Sequence, residues 1–334
     1  MSVRRTHLAF LAAAILPFVA ACGNDKHPVT TTMRGSSSSH SLTVTSDSGT
    51  PSGTVTETTA ATVPVSYVDA EAAYTARKYT EAAELFASYT HANPENAWGH
   101  YMYGLSSWKS GNPEQAMTSF DDALRIDPQH RKSLLNSARV LLDTGRPREA
   151  LERVERAMAL EPLSAEGLRL LGRARYELKQ IPEAIDAYQR AIALDERDVW
   201  AMNNLGLIYI QQERSGSALP VLARAVELRR DAPVFQNNLG TALERTGHFA
   251  AAKKAYESAL ATDSTYGKAA ASLARVTPLA ESDTSTVDLV ALATEFQAEV
   301  QRWRDSAVAS AASEDSTVTS TDSTVISKDS MVGE

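Results

Sequence analysis

The chain has 334 residues, 43% hydrophobic and 7% aromatic, enough apolar surface for a packed core and, by length alone, for about two domains. A formal net charge of −8 argues against nucleic acid as the main partner, because neutralising phosphates requires a basic field. The single cysteine excludes an intramolecular disulfide framework and a cysteine-rich metal site, and the abundance of alanine favours closely packed helices over a sheet.

Residues 1–21 read as an export signal. Arg4 and Arg5 make a basic start, and Leu8 to Ala21 is a run of small and aliphatic residues too short to span a bilayer comfortably. The run ends Val19-Ala20-Ala21-Cys22. This segment resembles a bacterial lipoprotein signal, whose box is an aliphatic residue, two small residues and a cysteine. The resemblance implies cleavage before Cys22, a diacylglycerol on its thiol and acylation of the new amine. The alternative is an ordinary secretory signal cut at Ala21. Gly23 stands where an Asp would imply inner-membrane retention, so the implied address is the outer membrane facing the periplasm, with the outer face of the cytoplasmic membrane as the alternative. Losing Arg4 and Arg5 takes the formal charge from −8 to about −10.

Residues 22–62 read as a disordered tether. Nearly half are Ser or Thr, and no apolar period is present whose burial would offset the entropy of ordering. A flexible coil of this length reaches roughly 35 Å.

From 63 to 266 the sequence repeats every 34 residues without insertion. Ala82, Ala116, Ala150, Ala184, Ala218 and Ala252 mark the period. Twelve residues before each stands a small residue: Ala70, Gly104, Ala138, Gly172, Gly206 and Gly240. Four after each stands a bulkier one: Phe86, Phe120, Val154, Tyr188, Leu222 and Tyr256. The pattern suits two antiparallel helices, A and B. The small residues allow close approach, and the bulky one fills the space beside the contact. Gly111-Asn112-Pro113, Gly145-Arg146-Pro147 and Gly247-His248 fall at the A–B turns. Pro94, Pro128 and Pro162 close helix B in the first three units. Repeats 4 to 6 lack that proline, and there helix B is expected to run straighter into the next helix A.

These six units (63–96, 97–130, 131–164, 165–198, 199–232, 233–266) resemble the tetratricopeptide repeat. The resemblance implies an all-α, right-handed superhelical solenoid of six helix-turn-helix repeats with a C-terminal capping helix. It departs from the family early in helix A, where His100, Leu134, Leu168, Met202 and Gln236 replace a large aromatic. Residues 267–278 continue as a seventh helix A that Pro278 is expected to stop. Residues 286–310 are amphipathic: Leu289, Leu292, Phe296, Val300, Trp303 and Ala307 lie within about 40° of one line at 100° per residue. Three readings are open for this helix: a cap on the side of the solenoid, an intramolecular ligand folded into its groove, or a docking helix for a partner. Residues 313–334 read as a disordered tail.

No nucleophile elbow, phosphate-cradling glycine loop or zinc-type His pair is present, so no enzyme, metal or cofactor is expected. Helix A lines the concave surface in the family it resembles. Carried over, the groove comprises Trp98, Tyr101 and Trp108; Lys132 and Arg139; Arg169, Arg173 and Tyr176; and Trp200, Asn203 and Asn237. Leu135, Leu142, Ile210, Thr241 and Glu244 share that face. Aromatics with Arg are the residues that dominate binding hot spots, and Asn offers both a donor and an acceptor to a peptide backbone. The ordinary alternative is inter-helix packing for the tryptophans and solvation for the charges.

The expected function is a scaffold, tied to a membrane through lipidated Cys22, that binds a protein or peptide partner during cell-envelope assembly, as bacterial lipoproteins of this repeat type do, including pilotins of type IV pili. The alternatives are an activator of a cell-wall synthesis, secretion or pilus machine and, further off, a hydrolase. The oligomeric state and the partner's identity are not legible.

Overall fold

Each 34-residue period folds as a pair of antiparallel helices joined by a tight turn. The computed structural model describes residues 66–322, with side chains as far as 306. The signal segment 1–21, Cys22, the tether 22–62 and the tail beyond 322 lie outside the described residues. Helices A are α1 (Tyr67–Thr75), α3 (Ala97–Lys109), α5 (Arg131–Asp143), α7 (Ala165–Glu177), α9 (Val199–Gln211) and α11 (Pro233–Arg245). Helices B are α2 (Tyr79–Ala92), α4 (Pro113–Ile126), α6 (Pro147–Leu160), α8 (Ile181–Leu194), α10 (Ser215–Leu228) and α12 (Phe249–Thr262). Then come α13 (Gly267–Ala280) and α14 (Leu289–Asp322). The described residues contain no strand.

The small-and-bulky rule is the packing itself. A Cβ added at Gly206 would sit 2.5 Å from Leu222 Cγ, and one at Gly240 2.6 Å from Tyr256 Cε1, so only hydrogen fits. Where helix A carries Ala138, the facing residue is the smaller Val154, and both are fully buried. His100 and Gln236, which replace the expected aromatic, are nearly buried. Each reaches back six residues to a turn carbonyl, His100 Nε2 to Pro94 O at 3.0 Å and Gln236 Nε2 to Arg230 O at 3.4 Å.

Three expectations are corrected. Helix B does not lengthen in repeats 4 to 6: α8, α10 and α12 have the same 14 residues as α4 and α6. The C-cap residue leaves the helical region at Asp127, Glu161, Asp195, Arg229 and Asp263 alike, with or without a following proline. At Asp127, Asp195 and Asp263 a carboxylate oxygen accepts the N–H two residues on, an Asx turn that ends the helix. Second, Pro278 lies inside α13, which runs on to Ala280. The carbonyl it deprives is that of Ala274, an exposed residue. Third, α14 extends to Asp322, past the expected start of the tail at 313, since each residue added to an existing helix gains a hydrogen bond.

Neighbouring helices A approach closely along the array, whereas the backbones of successive helices B stand further apart, bridged by long side chains such as Arg153 of α6, whose Nη2 donates to Asp121 Oδ1 of α4 at 2.7 Å. The stack is therefore splayed on the B side and curved inward on the A side. α14 seats on the B side, with its backbone against α10 and α8. This overturns the reading that it folds into the groove. Ala293, Phe296 and Val300 are buried there, flanked by Leu289, Leu292 and Trp303. The loop before it is fixed too: Asp283 Oδ2 accepts the N–H of Ala250 at 2.7 Å, supplying the cap that α12 lacks from its own His248.

Candidate binding groove

The inner face is built from helices A, and its polar residues are largely spent on one another. Successive helices A are joined by bonds spanning 35 residues, one more than the repeat. Asn136 Nδ2 donates to Tyr101 Oη at 3.4 Å, Tyr176 Oη to Gln211 Oε1 at 2.6 Å, Asn238 Nδ2 to Asn203 Oδ1 at 2.8 Å and Arg245 Nη1 to Ile210 O at 2.8 Å. Charges follow the same plan. Arg139 pairs with Glu166, Arg169 Nε with Asp198 Oδ2 at 2.8 Å, and Arg173 Nη1 with Asp143 Oδ1 at 2.9 Å. Arg173 Nε also reaches Glu177 at 3.0 Å, and Arg275 holds both oxygens of Glu244 at 2.7 and 2.8 Å.

The electrostatics fit a partly desolvated, internally compensated face. Burial lowers the Arg139 pKa, opposed by the neighbouring Glu166. Burial raises the Glu177 carboxyl, opposed by Arg173. Burial acts in the same sense on Glu244, but there the bonds from Arg275 and Tyr256 outweigh it and the carboxyl is lowered. The Tyr101 hydroxyl, removed from water and close to Tyr74, is pushed up to about 12.

The expected groove residues therefore fall into three groups. Tyr101, Asn203 and Asn237 are buried at 7%, 1% and 7% exposure and act as inter-helix packing. Arg139, Arg169 and Arg173 are ion-paired across repeats. Trp98, Trp108, Lys132, Tyr176 and Trp200 keep accessible surface. Trp200 is partly covered, edge to Phe235 at 4.9 Å with Arg229 over its ring at 5.4 Å. Lys109 lies over Trp108 and Lys179 over Tyr176. Sequence reasoning missed Asn136, Asn238, Arg245 and Arg275. The signal for the first three was the 35-residue offset from a polar or groove-facing residue in the preceding helix A. Among the described residues, no three His, Cys, Asp or Glu side chains gather as a metal site requires, and no helix is long and apolar enough to cross a membrane.

Repeat-family models match this array from end to end: two described as tetratricopeptide repeat, at 67–131 with 203–266 and at 107–174, and one described as TPR repeat at 172–213. The array belongs to the tetratricopeptide repeat family. No curated protein matches the chain. Among solved structures, the tetratricopeptide array is similar to a tetratricopeptide repeat protein from Parabacteroides merdae, at 12% identity and TM-score 0.53, over 62% of this chain and 81% of that one. It is also similar to a chain of the APC/C hetero-tetramer Cut9-Hcn1, at 18% identity and TM-score 0.57, over 62% of this chain and 41% of that one. MamA from Desulfovibrio magneticus matches at 23% identity and TM-score 0.46, over 49% of this chain and 92% of that one. At these identities the first two likenesses show the fold alone. Tetratricopeptide arrays are generally non-catalytic scaffolds that bind protein or peptide partners.

Proposed function

We propose that the chain is a non-enzymatic scaffold, anchored in a membrane through lipidated Cys22, that holds a protein or peptide segment on its helix-A face during cell-envelope assembly. The observation that carries this is the state of that face. Its arginines Arg139, Arg169 and Arg173 are locked between successive helices A, so the backbone is preorganised, while Trp98, Trp108, Tyr176 and Trp200 retain surface on it. Rigid aromatic anchors on a preorganised surface bind at small entropic cost. The anchor rests on the cysteine that ends Val19-Ala20-Ala21, the only one in the chain. Several acyl chains on one residue hold a protein stably at a bilayer, at about 0.8 kcal/mol per buried methylene. The tether then gives the array reach away from the surface.

A photo-crosslinking amino acid tests the binding face. Placed at Thr241 on helix A, it is expected to trap a discrete partner in intact cells, and placed at Lys254 on the outer face of α12 it is not. Equal trapping from both sites would reject the groove. The anchor has its own test: Cys22→Ser is expected to abolish incorporation of radiolabelled palmitate and release the protein from washed membranes.

A further inference from the structure

Resting on that reading of the groove, we propose that Trp98 and Lys132 form one recognition subsite in it, for a partner segment that places a carboxylate next to an apolar side chain. Trp98 is 49% exposed, the most open aromatic ring among the described residues' large exposed apolar side chains. It is nonetheless held in place, edge-on to Tyr101 at 5.6 Å and to His130 at 4.8 Å. The Lys132 ammonium lies 5.0 Å from the ring centroid. Arg139, Arg169, Arg173 and Arg275 on the same face all meet carboxylates, whereas Lys132 meets none among the described residues. An exposed cation–π contact contributes only about 0.5–1 kcal/mol and leaves the ammonium's three N–H donors unfilled.

His130 supplies the second observation. It is 6% exposed, and its Nδ1 is occupied by Ser133, 2.8 Å from the hydroxyl oxygen and 3.3 Å from the backbone nitrogen. That Nε2 is buried and has no hydrogen-bond partner. An ammonium without a carboxylate and a ring nitrogen without a partner thus border one half-exposed indole. The equivalent tryptophan three repeats on, Trp200, has no such vacancy, since Phe235 and Arg229 cover it. The charge sign selects the ligand: a carboxylate gains the ammonium, and an apolar side chain beside it covers the indole.

The test uses the full chain labelled with nitrogen-15 and reads the indole N–H signals of its four tryptophans, with Trp98 assigned by Trp98→Phe. The probes are two capped octapeptides, one with a central Phe-Glu pair and one with Phe-Gln. The Phe-Glu peptide is expected to shift the Trp98 signal saturably and to bind about fivefold tighter than Phe-Gln, the scale of one exposed ion pair. Lys132→Met should erase that preference while the other indole signals stay in place. Equal affinity for the two peptides overturns the subsite. If both then shift Trp108 or Trp200, the groove reading survives without it. Absence of any Trp98 shift also overturns the subsite, and the crosslinking experiment then decides the groove separately.

Discussion

Arg304 donates its Nε–H to the carbonyl oxygen of Ala193 at 2.7 Å, joining residues 111 apart in the sequence. Ala193 lies in the last turn of α8, where carbonyls lack helical partners and a positive charge is favoured. Arg304 Nη1 also reaches Glu196 at 3.1 Å. α14 is therefore latched near its middle by Arg304, with Phe296 and Val300 buried in the turns before it and Asp283 capping α12 ahead of it.

The latch and the wedge contribute unequally. Phe296→Ala removes a side chain that is 2% exposed and is expected to cost about 3 kcal/mol in urea unfolding, against about 1 kcal/mol for Arg304→Ala. Hydrogen exchange localises the effect: amides of α10 should open faster in Phe296→Ala, with α4 unchanged. Equal acceleration in α4 would mean that α14 does not act locally.

Gly206 and Leu222 form a size-matched pair, and Ala138 with Val154 is its counterpart in repeat 3. Gly206→Ala is expected to destabilise by about 1–3 kcal/mol through overpacking. Adding Leu222→Val should recover part of that loss, giving a coupling energy above about 0.5 kcal/mol. Strict additivity of the two changes would show that the contact does not set the helix spacing.

The array was readable because close helix approach demands small residues at a fixed phase, and that demand is written in single letters such as Gly206 and Ala218. The seat of α14 was less open to reading. Its apolar stripe announces burial without saying against what. The complement is present, though: the outer face of α10 reads Gly216, Leu219, Pro220 and Ala223. The same four positions carry Arg148, Leu151, Glu152 and Glu155 in α6, and Ala250, Lys253, Lys254 and Glu257 in α12. One uncharged helix-B face among charged ones marks the site to be covered. The arginines misled for a different reason. A basic residue on the groove face is an open ligand only if no carboxylate faces it, and Asp198 and Glu166 come from the start of the next helix A, 29 and 27 residues later.

Arg169 distinguishes a staple from a ligand contact. Its partner Asp198 has a side chain only 8% exposed and also caps α9 by accepting the Ala201 N–H at 3.0 Å. Arg169→Met leaves that carboxylate without its ion partner and is expected to cost about 3 kcal/mol. Adding Asp198→Asn, which keeps an acceptor for the cap and removes the charge, should make the double variant more stable than Arg169→Met alone. If Arg169→Met unfolds at the wild-type urea midpoint, the pair does not hold the repeats together.

Asp283 ties the loop before α14 to α12, and its pH dependence has a definite sign. The Ala250 N–H, followed by Ser285, holds its carboxyl down at about 2, below the ordinary value near 3.9. A lowered carboxyl contributes stability that is complete above the unfolded value and is lost as pH falls through the folded one. The anchor should thus be intact at pH 5, weaken below about 4, and be gone only below about 2. Following the Ala250 amide shift and the Asp283 carboxyl carbon by NMR from pH 6 to 1.5 checks this directly. Asp283→Asn keeps an acceptor oxygen and should hold the Ala250 amide shift flat over the same range. A carboxyl midpoint near 3.9 in the wild-type chain would mean that the cap does not form, and that α14 is held by Phe296, Val300 and Arg304 without it.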